Sequence, residues 1–233
     1  MYKAKKSTKW NFNLKNISSF EKHIDKSVPF YKNCHFIFLS LSDFFIQKNS
    51  RIIDLGCSSG NYLSKLYDKN KFDISLAFEG YDAVPEMIKF CKKKYNKKKI
   101  NFFKKDVVNI NFKNSSLISS FYTIQFIKQS QRQKLINRIY NGLNKNGAFF
   151  FIEKVLSENS ETQNMFTQIY NEFKIKNGIS PANVLKKSKS LKGVLMPLKS
   201  SENIKMLKKA GFKNIQLVIK YGQFEGILAI KNN

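Results

Sequence analysis

The sequence predicts an α/β architecture: a doubly wound, mostly parallel seven-stranded sheet with an antiparallel C-terminal hairpin and a helical insertion. Three observations predict it. Between residues 51 and 154, short apolar runs bounded by turn residues alternate with stretches of helical period, the pattern of strands joined by crossover helices. The run Ile52-Ile53-Asp54-Leu55 breaks at Gly56-Cys57-Ser58-Ser59-Gly60 and becomes helical from Asn61, so a strand feeds a glycine turn and a helix N-terminus. The last apolar runs, 215–220 and 226–231, have no helix between them and must pair as a hairpin.

Taken in order, residues 1–17 are polar and weakly patterned and read as a flexible basic arm; residues 18–233 read as one domain, with 160–195 as its insertion. Ser18 or Ser19 caps a short helix over 20–26, Ser27-Val28-Pro29 breaks it, and an apolar helix runs over 31–47. That helix is too apolar to face water on all sides, so it packs on the sheet or roofs a pocket. The central strand (51–55), a helix (61–69), a second strand (74–82) and a helix opening on Pro85 (85–96) follow, proline suiting a first turn. A third strand spans 100–103 and a fourth 117–122. Ser130 caps a helix that Asn144-Lys145-Asn146-Gly147 stops, and 148–152 is a fully apolar fifth strand. Within the insertion the alternation ceases in favour of helix; Ser200 or Ser201 then caps a helix through Lys209.

The glycine turn is compatible with three chemistries besides the one retained. A dinucleotide fingerprint wants glycine where Ser58 stands, and a phosphate loop wants Gly-Lys-Ser/Thr, which does not follow Gly60. Gly56-x-Ser58-x-Gly60 also fits a hydrolase nucleophile elbow, but that fold takes its histidine after the serine, and His23 and His35 both precede it. What remains is the loop of class I S-adenosylmethionine (SAM) methyltransferases: an acidic residue, Asp54, then Gly-x-Gly/Ser-x-Gly. Such a site needs a carboxylate at the end of the next strand to accept both ribose hydroxyls. Asp82 is the first choice and Glu79 the reserve, the alternative for Asp82 being a cap on the next helix. Asp106, after the third strand, is a candidate for the adenine amino group or a solvated surface acid. Tyr31 and Tyr122 read as pocket residues or as core tyrosines with satisfied hydroxyls. Glu153 is the one obvious candidate base.

Composition bounds the class. A 42% hydrophobic content with 22 Phe and 10 Tyr describes a globular chain. The net charge of +26 points towards nucleic acid or an anionic surface. Yet Arg51, Arg132 and Arg138 are the only arginines, and nucleic-acid readers favour the bidentate arginine fork; Lys, Asn, Ile and Phe all have A/T-rich codons, so genome bias accounts for much of the charge. Cys34, Cys57 and Cys91 lack metal-ligand spacing and fit a reducing compartment without disulfides. No metal is expected. The N-terminus is basic without an apolar stretch behind it, and 36–46 is too short to span a bilayer; a soluble, cytoplasmic protein with no membrane contact is expected.

With those residues placed, the chain resembles the carboxy-S-adenosyl-L-methionine (carboxy-SAM) synthase family nearly end to end. The matches are Ser27-Val28-Pro29-x-Tyr31, Asp54-Leu55-Gly56-Cys57-Ser58, Thr123-x-Gln125-Phe126, Arg132-Gln133, and Ile139-Tyr140-x-Gly142-Leu143-Asn144. Glu153-Lys154, Phe173-Lys174-x-x-Asn177-Gly178 and Lys209-Ala210-Gly211-Phe212 complete them. The resemblance implies a Rossmann-like fold, conversion of SAM and prephenate to carboxy-SAM for modifying a tRNA wobble uridine, and a homodimer. It places Tyr31, Gly56, Cys57, Ser58, Asp82, Asp106 and Val107 at SAM-contacting positions, with Asp54, Gly60, Ala83 and Phe121 completing the expected cofactor set. Two positions depart from the family. Phe121 stands where it has asparagine, and Ser188 where it has the arginine that meets the transferred carboxylate. Lys187 and Lys189 flank Ser188 and are the candidate substrate contacts, without the planar fork. The leading expectation is therefore a SAM-dependent methyltransferase of a small-molecule acceptor related to that family. The alternatives are the synthase itself and a tRNA-binding protein using lysine clusters at 92–94, 97–99 and 186–192.

Overall fold

A computed structural model describes residues 18–232; the expected arm, 1–17, lies outside the described residues. Helices α1 (Ser18–Ser27) and α2 (Tyr31–Leu41) precede the sheet. Then come β1 (Arg51–Leu55), α3 (Asn61–Asn70), β2 (Ala77–Asp82), α4 (Pro85–Lys94), β3 (Ile100–Lys104), β4 (Ser115–Phe121), α5 (Gln129–Gly142) and β5 (Leu143–Lys154). Helices α6 (Ser160–Lys176) and α7 (Pro181–Leu191) form the inserted stretch. The chain closes with α8 (Ser200–Ala210), β6 (Asn214–Tyr221) and β7 (Phe224–Ile230).

The sheet has the order β3-β2-β1-β4-β5-β7-β6. The first five strands run parallel, and β7 is antiparallel to both β5 and β6. Strand order reverses between β1 and β4, the point where such sheets open a crevice at their C-terminal ends. Leu55, Asp82, Phe121 and Lys154 all end strands on that edge. Both faces are covered, so central strands are apolar on both sides. Ile53, Ile118, Phe149 and Phe151 meet α5 and α8 through Leu135, Ile139 and Leu207. Ile52, Leu117, Phe150 and Ile152 meet Phe38 of α2, Leu63 and Leu66 of α3, and Cys91 of α4.

The structure differs from the sequence reading at element ends. The apolar helix stops at Leu41 and tightens into a 3-10 turn over Ser42–Phe44, where the Ser42 hydroxyl donates back to the Leu39 carbonyl at 2.6 Å. The second strand begins at Ala77 because Asp73 closes a turn on the amide and hydroxyl of Ser75. Ser130 lies inside α5, whose N-cap is Lys128. Residues 144–147 join β5 across a bulge, with Asn146 at φ 60°. Ser200 is the first residue of α8; the amide of Lys199 before it donates to Glu202 at 2.8 Å.

Candidate functional site

The turn after β1 needs its two glycines for different reasons. Gly56 sits at φ +68°, and a Cβ there would lie 2.1 Å from Thr123 Oγ1. Gly60 caps α3 at φ +71°, with the Tyr95 ring and the Cys91 sulfur closing on it. Between them Ser58 takes a left-handed conformation (φ 50°), which turns its amide onto Asp82 Oδ2 at 2.9 Å. The amides of Gly56 and Cys57 both donate to the Tyr81 carbonyl, fixing the turn to β2. The Cys91 thiol, behind the turn, donates to the Ser58 carbonyl at 3.1 Å.

Asp82 is the carboxylate this turn faces. Its Oδ1 accepts from the Val84 amide at 2.8 Å and its Oδ2 from Ser58, so it steadies the chain before α4 without capping that helix, whose N-cap is Val84. Each oxygen keeps a lone-pair site for a hydroxyl donor. Burial raises its pKa, opposed by those amides. Glu79 is spoken for: Arg51 Nε and Nη2 bind its two oxygens at 3.0 and 2.5 Å, and the Tyr81 hydroxyl adds a third bond at 2.7 Å. The ribose assignment therefore rests on Asp82.

Asp54 is buried at the end of β1 and accepts the Ser119 hydroxyl at 2.6 Å. Burial pushes its pKa up to about 7, Asp82 adding to the rise and Ser119 opposing it. Asp106 is exposed and takes the Val108 amide at 3.1 Å, capping a 3-10 turn, while Val107 is buried.

Beyond Asp54 the crevice is walled by rings. Tyr62 lies 4.5 Å from Phe121, and His35 lies 4.3 Å from Tyr31, 5.3 Å from Tyr62 and 5.5 Å from Phe121. Tyr122 (φ 57°) stands 6.3 Å from Tyr31. Burial drops the His35 pKa to about 3, aided by Lys65, and raises that of Tyr31. Neutral His35 and Tyr62 were not singled out from sequence, because the cage assembles from α2, α3 and the end of β4. Alternation along those elements marks each residue only as core.

Glu153, the expected base, lies near the end of β5. It is buried, and its oxygens accept the amides of Thr123, Ile124 and Gln125 at 3.1, 2.9 and 2.9 Å. Burial lifts its pKa to about 8 against those amides and the Arg132 charge. A carboxylate so engaged anchors the 123–126 turn. Arg132 holds the other end, donating to the Ile127 and Gln125 carbonyls.

The inserted helices reach the glycine turn through α1. Ser59 donates to Glu21 of α1 at 2.8 Å, and the Tyr170 hydroxyl of α6 donates to the Ser27 carbonyl at 2.9 Å. Lys187 and Lys189 are exposed on α7, Lys187 beside His23 of α1, whose pKa burial and that charge lower. Among the described residues no group of His, Cys, Asp or Glu is placed to hold a metal ion, and all three cysteines are free.

The donor set fits SAM. It offers a carboxylate for a diol, a turn into which no Cβ fits, a buried acid for an ammonium group, and ring faces for a sulfonium.

Comparison with known proteins agrees. A methyltransferase-domain family model matches residues 52–147. The carboxy-SAM synthase of Staphylococcus epidermidis is 38% identical over 95% of this chain and 97% of that one. That of Nautilia profundicola is 34% identical over 95% and 94%. Among solved structures, the plantazolicin methyltransferase BpumL superposes with a TM-score of 0.65 at 15% identity, covering 93% of this chain and 90% of that one. The YcgJ protein of Bacillus subtilis superposes at 0.62 with 12% identity, covering 87% and 100%. The fold is thus that of the SAM methyltransferases, and the chain, a SAM-dependent transferase, belongs to the carboxy-SAM synthase family.

Proposed function

We propose that the protein is a carboxy-SAM synthase, building carboxy-SAM from SAM and a small carboxylate donor, prephenate by family likeness. The observation that carries this is that Glu153 and His35, the buried acid and imidazole beside the cage, are both engaged by other groups. Glu153 is tied to three amides, and His35 is sealed among aromatic rings. Methyl transfer to a hydroxyl or amine calls for proton removal near the acceptor; carboxylation of the SAM methyl group also breaks a C–H bond, but the hydroxide that prephenate expels as it loses its carboxyl group can take up that proton without a protein base.

Bound SAM supplies a methyl group activated by its sulfonium. Asp82 would receive the ribose hydroxyls, and the backbone of Gly56–Gly60 would run alongside the amino-acid portion with Asp54 behind it. Asp106, Val107 and Ala83 would border the adenine. Tyr31, Phe121 and Tyr122 would keep water from the sulfonium, and Lys187 with Lys189 would sit over the entrance. Catalysis is then mostly positioning. The product would serve wobble-uridine modification of tRNA in the cytoplasm, from a homodimer.

A second reading, methyl transfer to a small acceptor, is favoured by Phe121 and Ser188, which replace the family's asparagine and arginine. Mass spectrometry of the ligand that copurifies, and of SAM incubated with and without prephenate, separates the two. Carboxy-SAM formed only with prephenate is the expected result. SAM or its demethylated product in the native protein, with no carboxy-SAM made, would establish the methyltransferase instead.

A further inference from the structure

Two lysines at the open end of the sheet have no acidic partner among the described residues. Lys154 ends β5 and Lys174 lies in the last turn of α6; each holds its ammonium over the same ring, Tyr170, at 4.7 and 4.1 Å from the centroid. Both are half-buried. Among the described residues neither ammonium group forms a hydrogen bond or ion pair, whereas those of Lys32, Lys69, Lys94, Lys98, Lys199 and Lys220 pair with acids. Burial lowers both pKa values, that of Lys154 to about 8, with the Lys174 charge adding to the Lys154 shift. Like charges brought together out of water destabilise one another, and the shared Tyr170 ring offsets only part of that.

The pair is also placed for a substrate. Tyr170 is pinned by its bond to Ser27. Its ring lies 5.2 Å from Phe224, and Phe224 lies 6.2 Å from Tyr122. Two rings, Tyr170 and Phe224, thus link the ammonium groups to the cage wall, on the β5 side of the point where strand order reverses.

We propose that Lys154 and Lys174 form a carboxylate-binding subsite for the co-substrate, a small organic acid, separate from the SAM cradle. This rests on the synthase reading for the acid's identity and not for the subsite itself. An anion between two ammonium groups removes their repulsion and regains the hydrogen bonds each lacks. With Ser188 in place of the family's arginine, the subsite puts positive charge on β5 and α6 instead of on α7.

The test is calorimetric titration of the full chain, saturated with S-adenosylhomocysteine, with prephenate and separately with malonate. Wild type is compared with Lys154→Met, Lys174→Met and Lys174→Arg, each checked for an unchanged melting midpoint. The expected result is prephenate binding weakened at least tenfold by either methionine, retained by arginine, with SAM affinity within twofold of wild type. Lysine-dependent binding of malonate but not of prephenate would uphold the subsite and overturn the synthase reading. Unchanged affinity for both acids in the methionine variants, no binding of either acid to wild type, or an equal loss of SAM affinity would overturn the subsite.

Discussion

Asp82 and Glu79 lie three residues apart on β2, and a guanidinium decides between them: Arg51 takes Glu79, leaving Asp82 facing the glycine turn. Asp82→Ala should abolish SAM binding by calorimetry while the circular dichroism spectrum is kept. Loss of two charge-assisted bonds at about 1.5–3 kcal/mol each predicts at least a ~100-fold weaker Kd; an unchanged Kd would reject the ribose assignment. Asp54 gives a second prediction. Its folded pKa, up to about 7, lies above its unfolded value near 3.8, so the folded state holds the proton more tightly. Stability from this group is full below the unfolded value and is lost as pH rises towards 7. Asp54→Asn keeps an acceptor for Ser119 and should flatten that decline in melting midpoints measured from pH 4 to 8; a parallel decline would assign it to other groups. The position of Asp82 against the glycine turn was legible in the sequence, because it ends the strand beside the one that feeds that turn. The amide bonds of Glu153 were not, since a carboxylate at a strand end reads alike as a base or as an anchor for a turn on the far side of α5 in the chain.

At the scale of elements, strand, glycine turn and helix were legible because each is set by local chemistry: an apolar run, a positive φ, a resumed helical period. All seven strands and the hairpin could be read on that basis. The misread boundaries are those where side chains bond the backbone out of sequence pattern, as at Ser42 and Asp73. The glycine turn carries the sharpest element-level prediction. Gly56→Ala forces a side chain into a left-handed position and drives its Cβ into Thr123, whose hydroxyl donates to the Leu55 carbonyl at 3.1 Å. Backbone strain of about 1–3 kcal/mol plus displacement of Thr123 should lower the melting midpoint by several degrees and remove SAM binding. Adding Thr123→Ala should recover stability in part, the φ strain remaining. Full stability in the single variant would show that the turn can relax without the glycine.

For the whole molecule the governing quantity is charge. A net +26 is carried almost entirely by lysine, and few of those lysines meet an acid among the described ion pairs. Most exposed pairs contribute little, so the long-range sum is repulsive and opposes compaction. Raising salt from about 0.01 to 0.15 M shortens the Debye length from roughly 30 to 8 Å, which screens repulsion between separate lysine runs such as 92–94 and 97–99 more than it weakens close pairs. The melting midpoint should therefore rise by several degrees with sodium chloride. A fall would mean that the close pairs, Arg51 with Glu79 foremost, outweigh the repulsion. The same lysines give the opposite sign if they contact nucleic acid, because each neutralised phosphate makes affinity drop with salt. Stability that climbs with salt while retention on immobilised tRNA is absent at every concentration would assign the charge to a solvated surface. Retention that falls steeply with salt would instead make the lysine runs a contact for RNA.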